Sequence, residues 1–212
     1  MLFIMLGMLL FSCKEKSELL YSCDPNIDQW VKENLVEIRQ MKRDEWNELD
    51  ERLKKPVFSA FTKNQKQCFW LQKIDEIIEL GWNEQELNHW LLAKKEIEKR
   101  VGAFDDVQNQ NDVDSLEIYF FEWKNIAIKE FFWPKSFIMA ALYVGNKVID
   151  KEGTLEIIEK DVKLKTSTEN DCECLYGVGC LPYGGTCYKG NCNNVIKCGL
   201  LGTSLCNGTC FY

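Results

Sequence analysis

The stretch CECLYGVGCLPYGGTCYKGNCNNVIKCGLLGTSLCNGTCFY, Cys172 to Tyr212, decides how the rest of the chain is read. It holds Cys172, Cys174, Cys180, Cys187, Cys192, Cys198, Cys206 and Cys210 within 41 residues. Eight glycines, from Gly177 to Gly208, are interleaved with those thiols, as suits a chain that must turn repeatedly to bring sulfurs together. A segment this short cannot bury enough apolar area to fold on hydrophobicity alone, so cross-links or metal must supply the missing stability. The spacing C-x-C-x5-C-x6-C-x4-C-x5-C-x7-C-x3-C has no C-x-x-C knuckle and the tail has no His, which favours four disulfides over a structural metal. The pairing of those cysteines stays open.

Outside the tail the chain reads as an ordinary folded protein. Of its 212 residues 46% are hydrophobic and 12% aromatic, enough for one conventional core. The tail carries Lys189 and Lys197 against Glu173, a net of +1, so residues 1–171 carry −8 of the total −7. An acidic body argues against a nucleic-acid partner, whose phosphates demand a basic face.

Residues 1–12 are almost wholly apolar and end at Cys13, after which Lys14, Glu15, Lys16, Ser17 and Glu18 begin a polar stretch. The run is too short for a membrane-spanning helix, which needs about 20 apolar residues, and reads as the apolar region of a secretory signal. Leu10, Phe11 and Ser12 before Cys13 resemble the bacterial lipobox. By that resemblance Cys13 is lipidated, anchors the chain to a membrane, and carries it into an oxidising envelope, at the outer membrane or cell surface. No Lys or Arg precedes the run, so this reading expects a start upstream of Met1 or a minimal charged region; the competing reading is a buried N-terminal element. With Cys13 acylated ten thiols remain, and Cys23 and Cys68 could form a fifth bridge within the body or stay free in its core.

The expected architecture is mainly α: a bundle-like helical body followed by a small disulfide-rich C-terminal domain. The divisions are a signal at 1–12, a lipidated cysteine and tether at 13–23, the body at 24–164, a linker at 165–171 and the tail at 172–212. Asp24 caps and Pro25 starts a helix with Ile27, Trp30, Val31, Leu35 and Ile38 on one face. A shorter pattern at Trp46, Leu49 and Leu53 stops before Pro56, and Val57 to Thr62 reads as a turn of helix or a loop. Cys68, Phe69, Leu71, Ile74, Ile77 and Ile78 form a stripe ending at Gly81. Asn83 with Glu86 opens the next helix through a capping box, with Leu87, Trp90, Leu91, Ile97 and Val101 inward. Residues 104–113 read as a surface loop, and Asp114 and Ser115 as the cap of a helix carrying Leu116 to Phe131. Phe137 to Val144 is the most buried helix, ended by Gly145 and Asn146. Residues 147–168 read as short strands or a last helix.

No catalytic constellation emerges, so the expectation is a protein without enzymatic activity and without a cofactor. The one histidine, His89, sits beside Trp90 on a helix and reads as structural, and a histidine-based zinc hydrolase would need a second. Asp105 with Asp106, or Asp112 with Asp114, could bind calcium, but the stretch lacks the spacing and central glycine of an EF-hand and reads as a solvated loop. The seven tryptophans read as core.

The tail's cysteine order, its Cys198-Gly199 step and its Cys206-Asn207-Gly208-Thr209-Cys210-Phe211-Tyr212 ending resemble the bacteriocin fulvocin C family. The resemblance covers the last 41 residues and implies a disulfide-bonded antibacterial peptide, released from a longer precursor and acting on the envelope of a target cell. It carries over the eight cysteines as cross-link partners and Phe211 and Tyr212 as the matching terminus, with no catalytic residue. Leu175, Tyr176, Leu181, Tyr183, Tyr188, Leu200, Leu201, Leu205 and Phe211 would then form an apolar face for a lipid interface. A charge of +1 is too small for strong attraction to anionic lipid, so binding to an envelope component fits better than a cationic pore. The alternative is a non-toxic envelope lipoprotein acting as a binding or protective surface module.

Overall fold

The computed structural model describes residues 19–107, 109–157, 170–172, 186–189, 197–206 and 208–211. The expected signal at 1–12, Cys13, residues 165–169 of the expected linker, and Cys174, Cys180 and Cys192 lie outside the described residues. At Cys172, Cys187 and Cys210 only the backbone is described.

The body is mainly α, as its apolar periodicity requires. Helix α1 (Pro25–Glu33) starts where Asp24 accepts from the amides of Asn26 and Ile27, and α2 (Leu35–Ile38) follows after a break at Asn34. One helix over this span was expected. The Asn34 side chain bonds the carbonyl of Trp30 at 2.7 Å, an asparagine competing with the helical ladder for its own backbone. Helix α3 (Arg43–Asn47) precedes α4 (Glu51–Ala60), which runs through Pro56 instead of stopping before it. Proline removes one ladder bond, and burial of Leu53, Val57, Phe58 and Ala60 on the same helix outweighs that loss.

Helix α5 (Lys63–Ile78) opens on a capping box of Thr62 and Gln65 and buries Phe69, Trp70, Ile74 and Ile77. Cys68, expected on the apolar stripe, is exposed, because the inward face is rotated to take Lys66 and Lys73. Gly81 (φ +79°) ends the turn, and α6 (Glu84–Lys99) begins at the expected Asn83/Glu86 box. Its inward face is His89, Trp90, Ala93, Glu96 and Ile97, which leaves Leu91 half exposed.

Helix α7 (Gln110–Glu130) is capped by Asn109, ahead of the expected Asp114. Asp112 and Asp114 therefore lie on a helix and not on a loop. The amide of Asn109 bonds the carbonyl of Gly102, and Asp112 packs so closely on Gly102 that a β-carbon there would clash with it. That contact, with the burial of Val113, fixes the start of the helix. Helix α8 (Lys135–Tyr143) follows Pro134 and buries Phe137, Ile138, Ala140, Ala141 and Leu142, the buried helix expected here. After it, Val148 and Leu155 form an isolated antiparallel bridge, which agrees with the strand-like reading over 147–157; residues 158–168 of that stretch lie outside the described residues.

The tail forms short strands. Strand β1 (Asn170–Cys172), expected as linker at Asn170 and Asp171, pairs antiparallel with β5 (Gly208–Phe211), which also pairs with β2 (Thr186–Lys189). Strands β3 (Lys197–Cys198) and β4 (Ser204–Leu205) form a separate hairpin around a 3-10 turn at Leu200–Gly202. Leu200 and Leu201 belong to the same buried apolar cluster as α1 to α8. The core of the body thus continues into the tail.

Candidate functional site

Tail and body meet where the β3–β4 hairpin packs on the helices. Cys198 and Cys206 form a disulfide with α-carbons 5.2 Å apart, closing the β3–β4 hairpin. Inside that loop the amides of Gly202 and Thr203 donate to the carbonyls of Gly199 and Leu200, and the Thr203 hydroxyl donates to Leu200 at 2.7 Å. Leu201 is forced to positive φ (51°), a conformation that costs a branched side chain about 1–2 kcal/mol, and its full burial offsets the cost. Leu200 and Leu201 were expected on an exposed lipid-facing surface; both are buried against the helices, because the bridge turns them inward.

Beside this dock lies a cleft of about 350 Å³ between α7, the end of α8 and the hairpin. Ile118, Phe121, Tyr143 and Leu200 give it apolar walls, and Glu117 and Glu122 flank it. Ile118 and Phe121 are 63% and 65% exposed, so α7 turns two large apolar groups to the outside next to the tail. Lys124 donates to the Tyr143 hydroxyl at 2.6 Å and lies 5.1 Å from its ring, which fixes that wall.

Neither reading of Cys23 and Cys68, a bridge between them or two free thiols in the core, describes both residues. Cys68 is a free, exposed thiol, whereas Cys23 is disulfide-bonded.

The residues weighed for chemistry have structural roles. His89 is buried, stacks on Trp123 at 4.4 Å, and places Nε2 3.1 Å from the Trp123 carbonyl, while Trp123 Nε1 donates to the His89 carbonyl at 3.0 Å. A carbonyl only accepts, so Nε2 carries the proton. Burial holds the His89 pKa below its ordinary value, against the opposing pull of the Trp123 bond and of Glu130. Around it Trp90, Trp133, Phe131 and Phe137 form an aromatic cluster, the core role expected for tryptophan.

Asp105 and Asp106 serve as counter-ions: Asp105 meets Lys63 and Asp106 meets Lys66, each at 2.9 Å. Lys66 is 1% exposed, and burial lowers its pKa against the pull of Asp106. Among the described residues no group of three His, Cys, Asp or Glu is placed to hold a metal ion.

Sequence reasoning missed the buried cations, Lys66 and three more. Lys73 is fully buried and donates to the carbonyls of Ala140 and Val144, where α8 ends and its dipole favours a cation. Burial still drives its pKa well below the ordinary value, followed by repulsion from Arg43, with Glu76 opposing. Arg43 forks onto Glu76 at 2.6 and 2.9 Å and lies 4.4 Å over Phe69. Lys54 is buried with Glu51 and Asn146. A lysine three to four places from apolar neighbours carries no mark of burial; Lys54 has Glu51 three places before it, whereas Lys73 and Arg43 find their partners far along the chain.

The fold and site define a helical protein into whose core a disulfide-closed tail is docked. No family model, no curated protein and no solved structure matches the chain.

Proposed function

We propose that this chain works whole, as an exported envelope protein anchored through Cys13, in which tail and helical body together form a binding or protective surface. The observation that carries this reading is the burial of Leu201: a segment that completes the core of the body is poorly suited to release as a free peptide. Two further facts support it. The Cys198–Cys206 bridge and the bonded Cys23 suit an oxidising compartment, and the cleft at Phe121 offers an apolar contact ready for a partner. Fractionating cells that produce the full chain tests it. One membrane-associated polypeptide containing both body and tail is expected, and a free tail peptide in the medium would overturn the reading.

A second reading, a bacteriocin-type activity on the envelope of neighbouring cells, is favoured by the eight-cysteine spacing and the Phe211-Tyr212 end. With Leu200 and Leu201 docked, the active species would be the whole oxidised protein. Growth inhibition by that protein, lost on reduction, supports this reading; a folded, oxidised and inert protein removes it.

A further inference from the structure

Glu51 and Lys54 lie one turn apart on α4, and Asn146 follows α8 in the chain. One carboxylate oxygen, Glu51 Oε1, accepts from Lys54 Nζ at 2.6 Å and from Asn146 Nδ2 at 2.7 Å. Lys54 is 2% and Asn146 3% exposed, so the group is closed to bulk water. The Trp46 ring covers Lys54 Nζ at 5.2 Å, and Trp46 Nε1 bonds the Lys54 carbonyl at 2.8 Å. Gly145 makes the approach of Asn146 feasible, because a β-carbon at that position would fall 2.5 Å from the Trp46 ring. The Asn146 amide nitrogen also donates to the Glu156 carbonyl at 3.2 Å, so two acceptors fix which end of the amide faces Glu51.

We propose that Lys54 and Asn146 join in an intramolecular amide bond, with Glu51 as the proton carrier. Lys54 Nζ and Asn146 Nδ2 meet on the same carboxylate oxygen, so a buried amine, a proton acceptor and a carboxamide are gathered in one closed group. Glu51 takes a proton from Lys54 Nζ, leaving a neutral amine and a neutral acid. The Nζ lone pair attacks Asn146 Cγ, and the Nζ–Cγ bond forms as the carbonyl electrons move to oxygen. Glu51 then delivers its proton to Nδ2, the oxyanion's electron pair re-forms the carbonyl as the Cγ–Nδ2 bond breaks, and the second Nζ proton passes to the regenerated Glu51 carboxylate, from which the departing ammonia carries it off as ammonium. No electron is gained or lost, and no further reactant is required. The oxygen that touches both the attacking and the departing nitrogen is the one such a transfer needs. The product closes the chain between α4 and the segment after α8 with a link that reductants leave intact, unlike the bridges of the tail.

The full chain, purified without denaturant, reduced, alkylated and digested, tests this by mass spectrometry. The expected product is a branched peptide joining residues 54 and 146, lighter by one ammonia than its two parts, in wild type and absent from Glu51→Gln and Asn146→Ala. Near-ultraviolet circular dichroism reports whether each variant is folded. Recovery of wild-type Lys54 and Asn146 only in separate, unmodified peptides after prolonged incubation of the folded protein would overturn the proposal. An undiminished cross-link in Glu51→Gln would overturn the role of Glu51. Should either variant fail to fold, the wild-type peptide map decides alone.

Discussion

Gly202 is pressed against Phe58: a β-carbon at residue 202 would fall 2.6 Å from Phe58 Cε1, and the backbone there has φ +64°. Replacing Gly202 with Ala therefore imposes both left-handed strain and an overpacked contact with a ring from α4. The expected loss is about 2 kcal/mol or more of unfolding free energy. Denaturant titration checks it; a variant as stable as wild type would mean that the tail is not seated on Phe58.

Leu201→Ala probes the same dock by removal. A fully buried leucine truncated to alanine costs about 2–5 kcal/mol, the upper part where the site cannot collapse. The Cys198–Cys206 bridge fixes the turn around Leu201, so collapse is restricted and a large loss is expected. A change below about 1 kcal/mol would contradict burial in the shared core.

Local signals were legible in the sequence and long-range ones were not. The Asn83/Glu86 box, the stop at Gly81 and the buried run of α8 each depend on neighbours within a few residues, and they appear where expected. The start of α7 was misplaced because several Asx residues in a row can each cap a helix, and the choice fell to Gly102, which is packed against Asn109 and Asp112. The stripe on α5 was rotated because Lys66 and Lys73 find their partners on distant segments, at Asp106 and at the end of α8. The dock of Leu200 and Leu201 and the approach of Asn146 to Glu51 are likewise contacts between remote parts of the chain.

Arg43→Lys is not a conservative change here. Two guanidinium nitrogens clasp the two oxygens of Glu76, and the same group covers Phe69. Lysine keeps the charge but loses the fork and the planar stack. With Arg43 3% exposed, a loss of about 2–3 kcal/mol is expected for Arg43→Lys and more for Arg43→Ala, which leaves Glu76 without its cation. A double-mutant cycle with Glu76→Gln measures the coupling, and additive effects would show that the pair is not formed.

His89 gives the protein an acid-sensitive core. Its pKa in the folded state lies below the ordinary 6.5, burial being the main cause. Below 6.5 the unfolded chain binds a proton that the folded chain resists, so stability falls as pH drops and levels off once the folded-state pKa has been passed. Above 6.5 both states are neutral at this site and the penalty is absent. Comparing wild type with His89→Gln isolates the effect from the carboxylates. The stability gap between them should move against wild type on acidification between pH 6.5 and the lower pKa, and a gap independent of pH would refute it.

A thiol count decides the fate of Cys13. The chain has eleven cysteines, with Cys68 free and Cys23 bonded. If Cys13 enters a disulfide, ten cysteines can pair and Cys68 alone reacts with a thiol reagent in denatured, unreduced protein. If acylation withholds Cys13, nine cysteines remain besides Cys68, and nine cannot all pair within one chain. The anchored form must then show a second reactive thiol, or a bridge to another molecule. Titration of membrane-extracted protein, with the labelled peptides identified, should find Cys68 labelled together with one tail cysteine. A single labelled site at Cys68 in a monomeric protein would place Cys13 in a disulfide and remove the acyl anchor.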